Sequence, residues 1–350
     1  MPSGALAKKL LMVSGLGLVV LLLVGAAVGA IGSAILPVDS FLPKPEIHLP
    51  PQPVFPASTR NLHLGATSED GHAGQSASGE KSSESSPAGS LGEEEEAHVT
   101  PLPITKFAVT NTLLSAWFAT LVIILFFVVG ARKRSLIPGR FQGLVEILVE
   151  GALSSCAGVV GSDMARKVFP LIATIFFFVL FNAWLALLPF YQFVGFVQGG
   201  GEFLGFLPEG EMKAHLLRSA GTDMNMPLAL ALISFVFVEY WGFRAHGFAY
   251  LKKFFALGKL LRLKPAGLID AFVGFLELIS ALVRVVSFTF RLFGNMTAGE
   301  ILVVMVTFLV PFVATQFVFG LELLVGLIQA IIFAGLTLVF LSVAVRQEGH

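Results

Sequence analysis

The stretch PAGLIDAFVGFLELISALVRVVSFTFRLFGNMTAGEILVVMVTFLV, residues 265–310, decides the fold. As one α-helix at 1.5 Å per residue it reaches about 69 Å, more than twice the ~30 Å hydrocarbon core of a bilayer. Such a helix must break or lie steeply tilted. Pro311 marks a turn, and residues 312–345 run back as a second apolar stretch of about 50 Å. The pair reads as a long, steeply tilted helical hairpin that presents its flank to a partner. Ionisable side chains lie within it: Glu277, Arg284, Arg291 and Glu300, with Ser287 and Asn295 between them, then Glu322 and Gln329 on the return. A central arginine costs about 2.5–3.5 kcal/mol to insert, so such residues mark function by default. At 100° per residue, Glu277, Arg284, Ser287, Arg291 and Asn295 share an arc of about 80°, and Glu300 lies about 180° from Arg291. Glu322 and Gln329, seven positions apart, share one face. A cation aimed one way and carboxylates aimed the other suit two separate proton-accessible compartments.

Working outward, the rest of the chain supports a membrane. It is 55% hydrophobic and 13% charged, where soluble domains carry about a quarter charged residues, and its mean hydropathy is +0.83. Apolar segments at 10–36, 107–130, 168–190 and 226–243 are each long enough to cross. With the hairpin they predict six crossings and an all-α polytopic bundle. Lys+Arg and Asp+Glu are 23 each, so the neutral chain carries no nucleic-acid footprint. The single Cys156 excludes an internal disulfide and a Cys-rich metal site. No Gly-x-x-x-x-Gly-Lys-Ser/Thr loop is present to cradle phosphates. Asn295-Met-Thr297 matches a glycosylation sequon, but it lies deep in an apolar span.

Three segments follow: a hydrophobic span at 1–36, a Pro-rich then Ser/Gly/Glu-rich low-complexity loop at 37–103, and a membrane domain at 104–350. The first span reads equally as an uncleaved anchor or a secretory signal, and its Gly25/Gly29 spacing allows close helix packing. The loop cannot bury enough apolar surface to fold alone, and its His63, His72 and His98 read as surface residues rather than a metal site. Basic residues set the orientation. Lys8 and Lys9, then Arg132, Lys133, Arg134 and Arg140, then Arg244, Lys252, Lys253, Lys259, Arg262 and Lys264 flank spans on what the positive-inside rule makes the cytoplasmic side. The 37–106 loop and the 191–223 connection, with Glu202, Glu209 and Glu211, are then outside, and both termini, including Arg346, are cytoplasmic.

At this point the sequence resembles subunit a of the F-type ATP synthase. The segment Arg291-Leu-Phe-Gly-Asn295-Met-Thr-Ala-Gly-Glu300 carries the resemblance, with Glu277 fourteen residues before the arginine and Glu322-Leu-Leu-Val-Gly-Leu-Ile-Gln329-Ala in the last helix. Pro138-Gly-Arg-Phe-Gln142 before the first cytoplasmic helix, Asn182 through Pro189, and Thr222-Asp223-Met-Asn225 add to it. It covers about 104–345. Val285 stands where the family often has proline and Ala186 where glycine or aspartate is usual; carboxylates occupy both Glu300 and Glu322.

The resemblance implies a non-catalytic, proton-translocating Fo subunit whose hairpin faces a rotor ring of c subunits. It implies b-type peripheral-stalk partners and a bacterial plasma (inner) membrane, with no cofactor and no metal. Protons are the default coupling ion, with sodium in reserve. Arg291 would face the carboxylate of each passing c subunit, and an arginine suits this because it stays protonated. Asn295 and Gln329 would hold its guanidinium by hydrogen bonds. Glu300 and Glu322 would carry protons in the outer half-channel, and Glu277, Arg284 and Ser287 would border the inner one. Two rivals compete. An ion-coupled secondary transporter using Arg291 as an anion site predicts inverted repeats and broken helices, neither of which the sequence shows. A structural anchor leaves the polar stripe without a purpose.

Overall fold

A computed structural model describes residues 4–31, 51–55, 108–132, 139–188, 191, 194–197, 204–206, 212–247, 250 and 265–346. The acidic 68–100 loop with its histidines, the basic residues Lys133, Arg134, Lys252, Lys253, Lys259, Arg262 and Lys264, and Glu202, Glu209 and Glu211 lie outside the described residues. Among the described residues, seven α-helices carry the fold: α1 (Gly4–Val28), α2 (Asn111–Ala131), α3 (Arg140–Val160), α4 (Ser162–Ala186), α5 (Asn225–His246), α6 (Pro265–Leu309) and α7 (Val313–Arg346). Six of them, α2 to α7, are long and apolar enough to cross a membrane, and the molecule is an all-α membrane protein as the sequence predicts. This set includes α3, which is not among the predicted crossings, and not α1, whose apolar part Met12–Val28 is shorter.

The residue-265 stretch does not break. α6 is one helix of 45 residues, about 68 Å long. Its apolar part alone, Phe272–Leu309, is 38 residues, and a ~30 Å layer accommodates an unbroken helix of that length by tilt. The turn to α7 is made by Val310, Pro311 and Phe312, where Phe312 takes a positive φ of 72°. The backbone N–H of Val310 still donates to the Val306 carbonyl at 2.9 Å, and that of Gln316 to the Phe312 carbonyl at 3.1 Å. Residues flanking the turn therefore stay hydrogen-bonded through it.

α4 and α7 form the centre. Val168, Ile172, Ile175 and Val179 of α4 and Ala330, Phe333, Ala334, Leu338 and Leu341 of α7 join Val285, Phe288 and Leu292 of α6 in one buried cluster. The Phe288 and Phe333 rings stand 4.9 Å apart. The helices are also tied by polar contacts, which suits an environment where apolar surface alone gives little drive to associate. Ser234 of α5 and Thr337 of α7 share a buried hydroxyl bond of 2.7 Å, and the Trp184 indole N–H donates to the Leu323 carbonyl at 3.0 Å. Gly326 lets α7 close on α4, where an added Cβ would lie 2.8 Å from that of Ala183.

α3 lies outside the crossings predicted from the sequence, where it is read as a cytoplasmic helix. It is long and apolar enough to span, yet both its ends are held at the bundle end away from Glu300. Near its start, Val145 fills the space over Gly130 at the close of α2, where a Cβ would lie 2.6 Å from Val145 Cγ2. At its finish, the Val159 carbonyl accepts a 2.9 Å bond from Arg346 at the close of α7. Glu146 and Glu150 are exposed along it. Gly161, with φ of 86°, then turns the chain into α4; a residue with a Cβ would be strained there.

Two features go beyond the sequence reading. The 191–223 connection, read as a loop, contains three short antiparallel strands: β3 (Val194–Val197), between β4 (Leu204–Phe206) and β5 (Met212–His215). A two-stranded pair, β1 (Pro53–Phe55) and β2 (Val109–Thr110), precedes α2. The Gly25/Gly29 spacing of α1 is used: both glycines press against the α6–α7 turn, contacting the carbonyl oxygens of Pro311 and Leu309, with no room for a Cβ at either.

Candidate functional site

At the end of the bundle where α4, α6 and α7 meet the 191–223 connection is a cavity of about 310 Å³. Four residues selected from the sequence line it together: Asn295, Glu300, Glu322 and Gln329. Glu300, expected on the side of α6 opposite the arginine, thus shares a chamber with Asn295, because the chamber wraps from α6 onto α7. Sequence reasoning missed two further lining residues, His215 and Arg218. Arg218 carried a signal: it is a cation in a connection assigned to the outside, against the trend of the other basic residues.

Arg218 is the best-anchored group in the cavity. Its Nε lies 3.1 Å from Glu300 Oε1 and 3.3 Å from Oε2, and Nη2 lies 3.3 Å from Oε2. The Arg218 side chain is 9% exposed and that of Glu300 is 34% exposed. Local chemistry fixes the arginine. Its backbone N–H donates to Ser115 Oγ at 2.9 Å, and that hydroxyl donates to the Asn111 carbonyl at 2.9 Å, pinning the segment to the start of α2. Five residues on, Asp223 accepts from Thr112 Oγ1 at 3.0 Å and from the Asn225 backbone N–H at 3.0 Å, which fixes the entry to α5. Gly221 meanwhile lies against the Met296 side chain of α6. Tyr191 completes this corner; burial pushes its phenol up to about 12, with its bond to Ser115 acting in the opposite direction.

Glu322 reaches the cavity from α7 and rests on Gly299, where an added Cβ would lie 2.6 Å from the carboxylate carbon. Arg291, two and a half turns before Glu300 on α6, does not line the chamber. It is half-buried, its Nη1 is enclosed without a hydrogen-bond partner, and its guanidinium carbon is 5.8 Å from the Phe288 ring centre. The expected bonds from Asn295 and Gln329 to this guanidinium are not formed. The Gln329 amide nitrogen is likewise buried and unpaired. Both side chains turn into the chamber, whereas Arg291 lies on the flank of the helix.

The remaining sequence candidates lie at the other end of α6. Arg284 caps the face of Phe340 at 4.1 Å and lines a crevice with Ser234 and Phe235. Tyr250, just beyond α5, faces Glu239, Arg284 and Glu277; burial, reinforced by the Glu239 carboxylate, pushes its phenol above the usual range. Neither Tyr250 nor Glu239 was singled out by the sequence. Ser287 is exposed and joins neither cluster. Among the described residues, no group of three or more His, Cys, Asp and Glu side chains is placed to hold a metal ion.

Comparison with known proteins agrees with this geometry. Residues 113–342 match the ATP synthase A chain family. The chain is 34% identical to the ATP synthase subunit a of Gloeobacter violaceus over 238 residues, which span 68% of this chain and 85% of that protein. It is 29% identical to that of Helicobacter acinonychis over 250 residues, 70% of this chain and 95% of the relative. A match covering both the polar hairpin and the helices that pack it shows that the chain belongs to the ATP synthase A chain family, subunit a of the F-type ATP synthase Fo sector, a multi-pass membrane subunit of ion transport and ATP synthesis.

Proposed function

We propose that this subunit couples proton flow to rotation of a c-subunit ring through two offset half-channels separated by Arg291. One observation carries the reading: Arg291 has an enclosed, unpartnered Nη1 between an acidic chamber on one side and the Arg284, Tyr250 and Glu277 group on the other. Along α6 the arginine is about 13 Å from Glu300 and about 10 Å from Arg284, so a proton passing from one cluster to the other has to leave the chain at its level. A carboxylate on a neighbouring ring is the group that would accept it, and once it has released the proton the ionised form would pair with the guanidinium. The exposed apolar flank beside it, with Leu282, Val283, Val286 and Phe290, supports docking of such a ring.

In this reading the outer path runs past Glu300 and Glu322, with Asn295 and Gln329 lining the way toward Arg291. The inner path is bordered by Glu277, Arg284 and Ser287. The subunit does no chemistry on ATP, works with b-type stalk subunits, and sits in a bacterial inner membrane with the Glu300 chamber outside and the C-terminus in the cytoplasm. Protons are the coupling ion.

ATP-driven pumping by the complete complex in vesicles tests this. Arg291→Ala is expected to abolish pumping while ATP hydrolysis by the partner subunits persists. Pumping at the normal rate overturns the proposal.

A further inference from the structure

Two carboxylates reach the outer chamber, and the structure treats them differently. Glu322 sits on the bare backbone of Gly299. Glu300 is engaged by Arg218 through both Nε and Nη2. Arg218 itself is nearly enclosed, and its backbone is pinned to α2 through Ser115. A surface ion pair would contribute little. Here the cation is withdrawn from water and held in place against a carboxylate that is about one-third exposed.

From this we infer that Arg218 is a positioning residue for proton transfer: it clamps the Glu300 carboxylate in place through two nitrogens, leaving Glu322 as the carboxyl group of the chamber that takes up and releases the proton. The inference rests on the proposed proton path. An arginine suits the task because it cannot be deprotonated at working pH. Glu300 is faced by Arg218 and Tyr191 from the connection, by Glu322 from α7, and by His215 from β5 across the same cavity; Arg218 is the group bonded to its carboxylate.

The test is the pH profile of ATP-driven pumping by the reconstituted complex. In Arg218→Gln the Glu300 carboxylate loses its cation and its anchor, so it competes with Glu322 for the proton. Flux that needs Glu300 held out of the proton traffic then fails from the acid side. The acid limb is expected to move up by about 1 pH unit or more, with pumping falling several-fold near neutrality and recovering in alkali. Arg218→Lys keeps the charge and is expected to keep the limb within about half a unit of the parent. In an Glu300→Gln background, Arg218→Gln should cause no further loss, since the group it acts on is gone. This double variant also removes both charges together and so avoids leaving an uncompensated carboxylate in a half-buried site. It therefore reports on the idea even where the single variant assembles poorly.

An unshifted profile in Arg218→Gln overturns the inference, as does a further loss on adding Arg218→Gln to Glu300→Gln. Arg291→Ala in the same vesicles separates the two levels. Pumping that survives Arg291→Ala defeats the proton-path reading itself, whereas pumping lost there with an unmoved Arg218→Gln profile defeats only the role of Arg218.

Discussion

The carboxylate of Glu322 lies directly on the backbone of Gly299, so closely that a methyl group there would put a carbon 2.6 Å from its Cδ. α6 and α7 are in contact at this point because neither a side chain nor a bulky neighbour separates them. Gly299→Ala is expected to push the carboxylate out of the chamber and cut proton flux at least ~10-fold, a barrier change of about 1.4 kcal/mol. The complex should still assemble, since alanine suits a helix better than glycine. Flux at the parent rate in Gly299→Ala vesicles would separate Glu322 from the path.

Ser234 and Thr337 form a buried hydroxyl pair at 2.7 Å, and Thr337 Oγ1 also donates to the Phe333 carbonyl at 2.9 Å. Thr337→Val keeps the shape but strands the Ser234 hydroxyl. A loss of about 1–3 kcal/mol is expected, seen as a lower melting temperature in detergent. Adding Ser234→Ala should recover part of it, because no polar group is then left unpaired. A double variant less stable than Thr337→Val would show that the pair is not the cause.

Phe312 adopts a left-handed backbone at the hairpin turn while its ring is 47% exposed. An L-residue is disfavoured there by roughly 1–2 kcal/mol, whereas glycine is not. Phe312→Gly is therefore expected to raise the melting temperature by a few degrees. A fall would mean that the Phe312 side chain contributes more than its backbone costs.

α1 is seated on the hairpin through Gly25 and Gly29, with the carbonyls of Leu309 and Pro311 against them. A helix used in this way is expected to remain in the mature chain. Intact-mass measurement of the protein purified from membranes checks it: a chain beginning after residue 31 would exclude the docked arrangement.

Much of the fold was legible because charge and hydropathy act locally. The length of the 265–310 run already required a tilt or a break, and the structure shows the unbroken helix. Composition alone misleads for α3. Its residues are apolar enough to span, and only the contacts of Val145 with Gly130 and of Val159 with Arg346 show both ends at one side. The site was half legible. Glu300, Glu322, Asn295 and Gln329 announced themselves as polar groups in apolar helices. Arg218 carried only the weak signal of a cation in an outside connection; its pairing with Glu300, 82 residues away, comes from tertiary packing. Angular bookkeeping on α6 also failed to predict that Asn295 and Glu300 share a chamber, since a chamber built from several elements is wider than one helix face.

The unbroken course of α6 has a mechanical side. From Pro265 to Leu309 the backbone is one hydrogen-bonded rod of 45 residues, with no hinge at which a push on one end can be absorbed. Glu277 and Glu300, about 34 Å apart along it, keep a constant angular offset, like marks on a spindle. A sideways or twisting load applied at mid-length would be carried as elastic bending to the buried contacts of α4 and α7. The Glu300 chamber and the Arg284–Tyr250 cluster would stay in register under it.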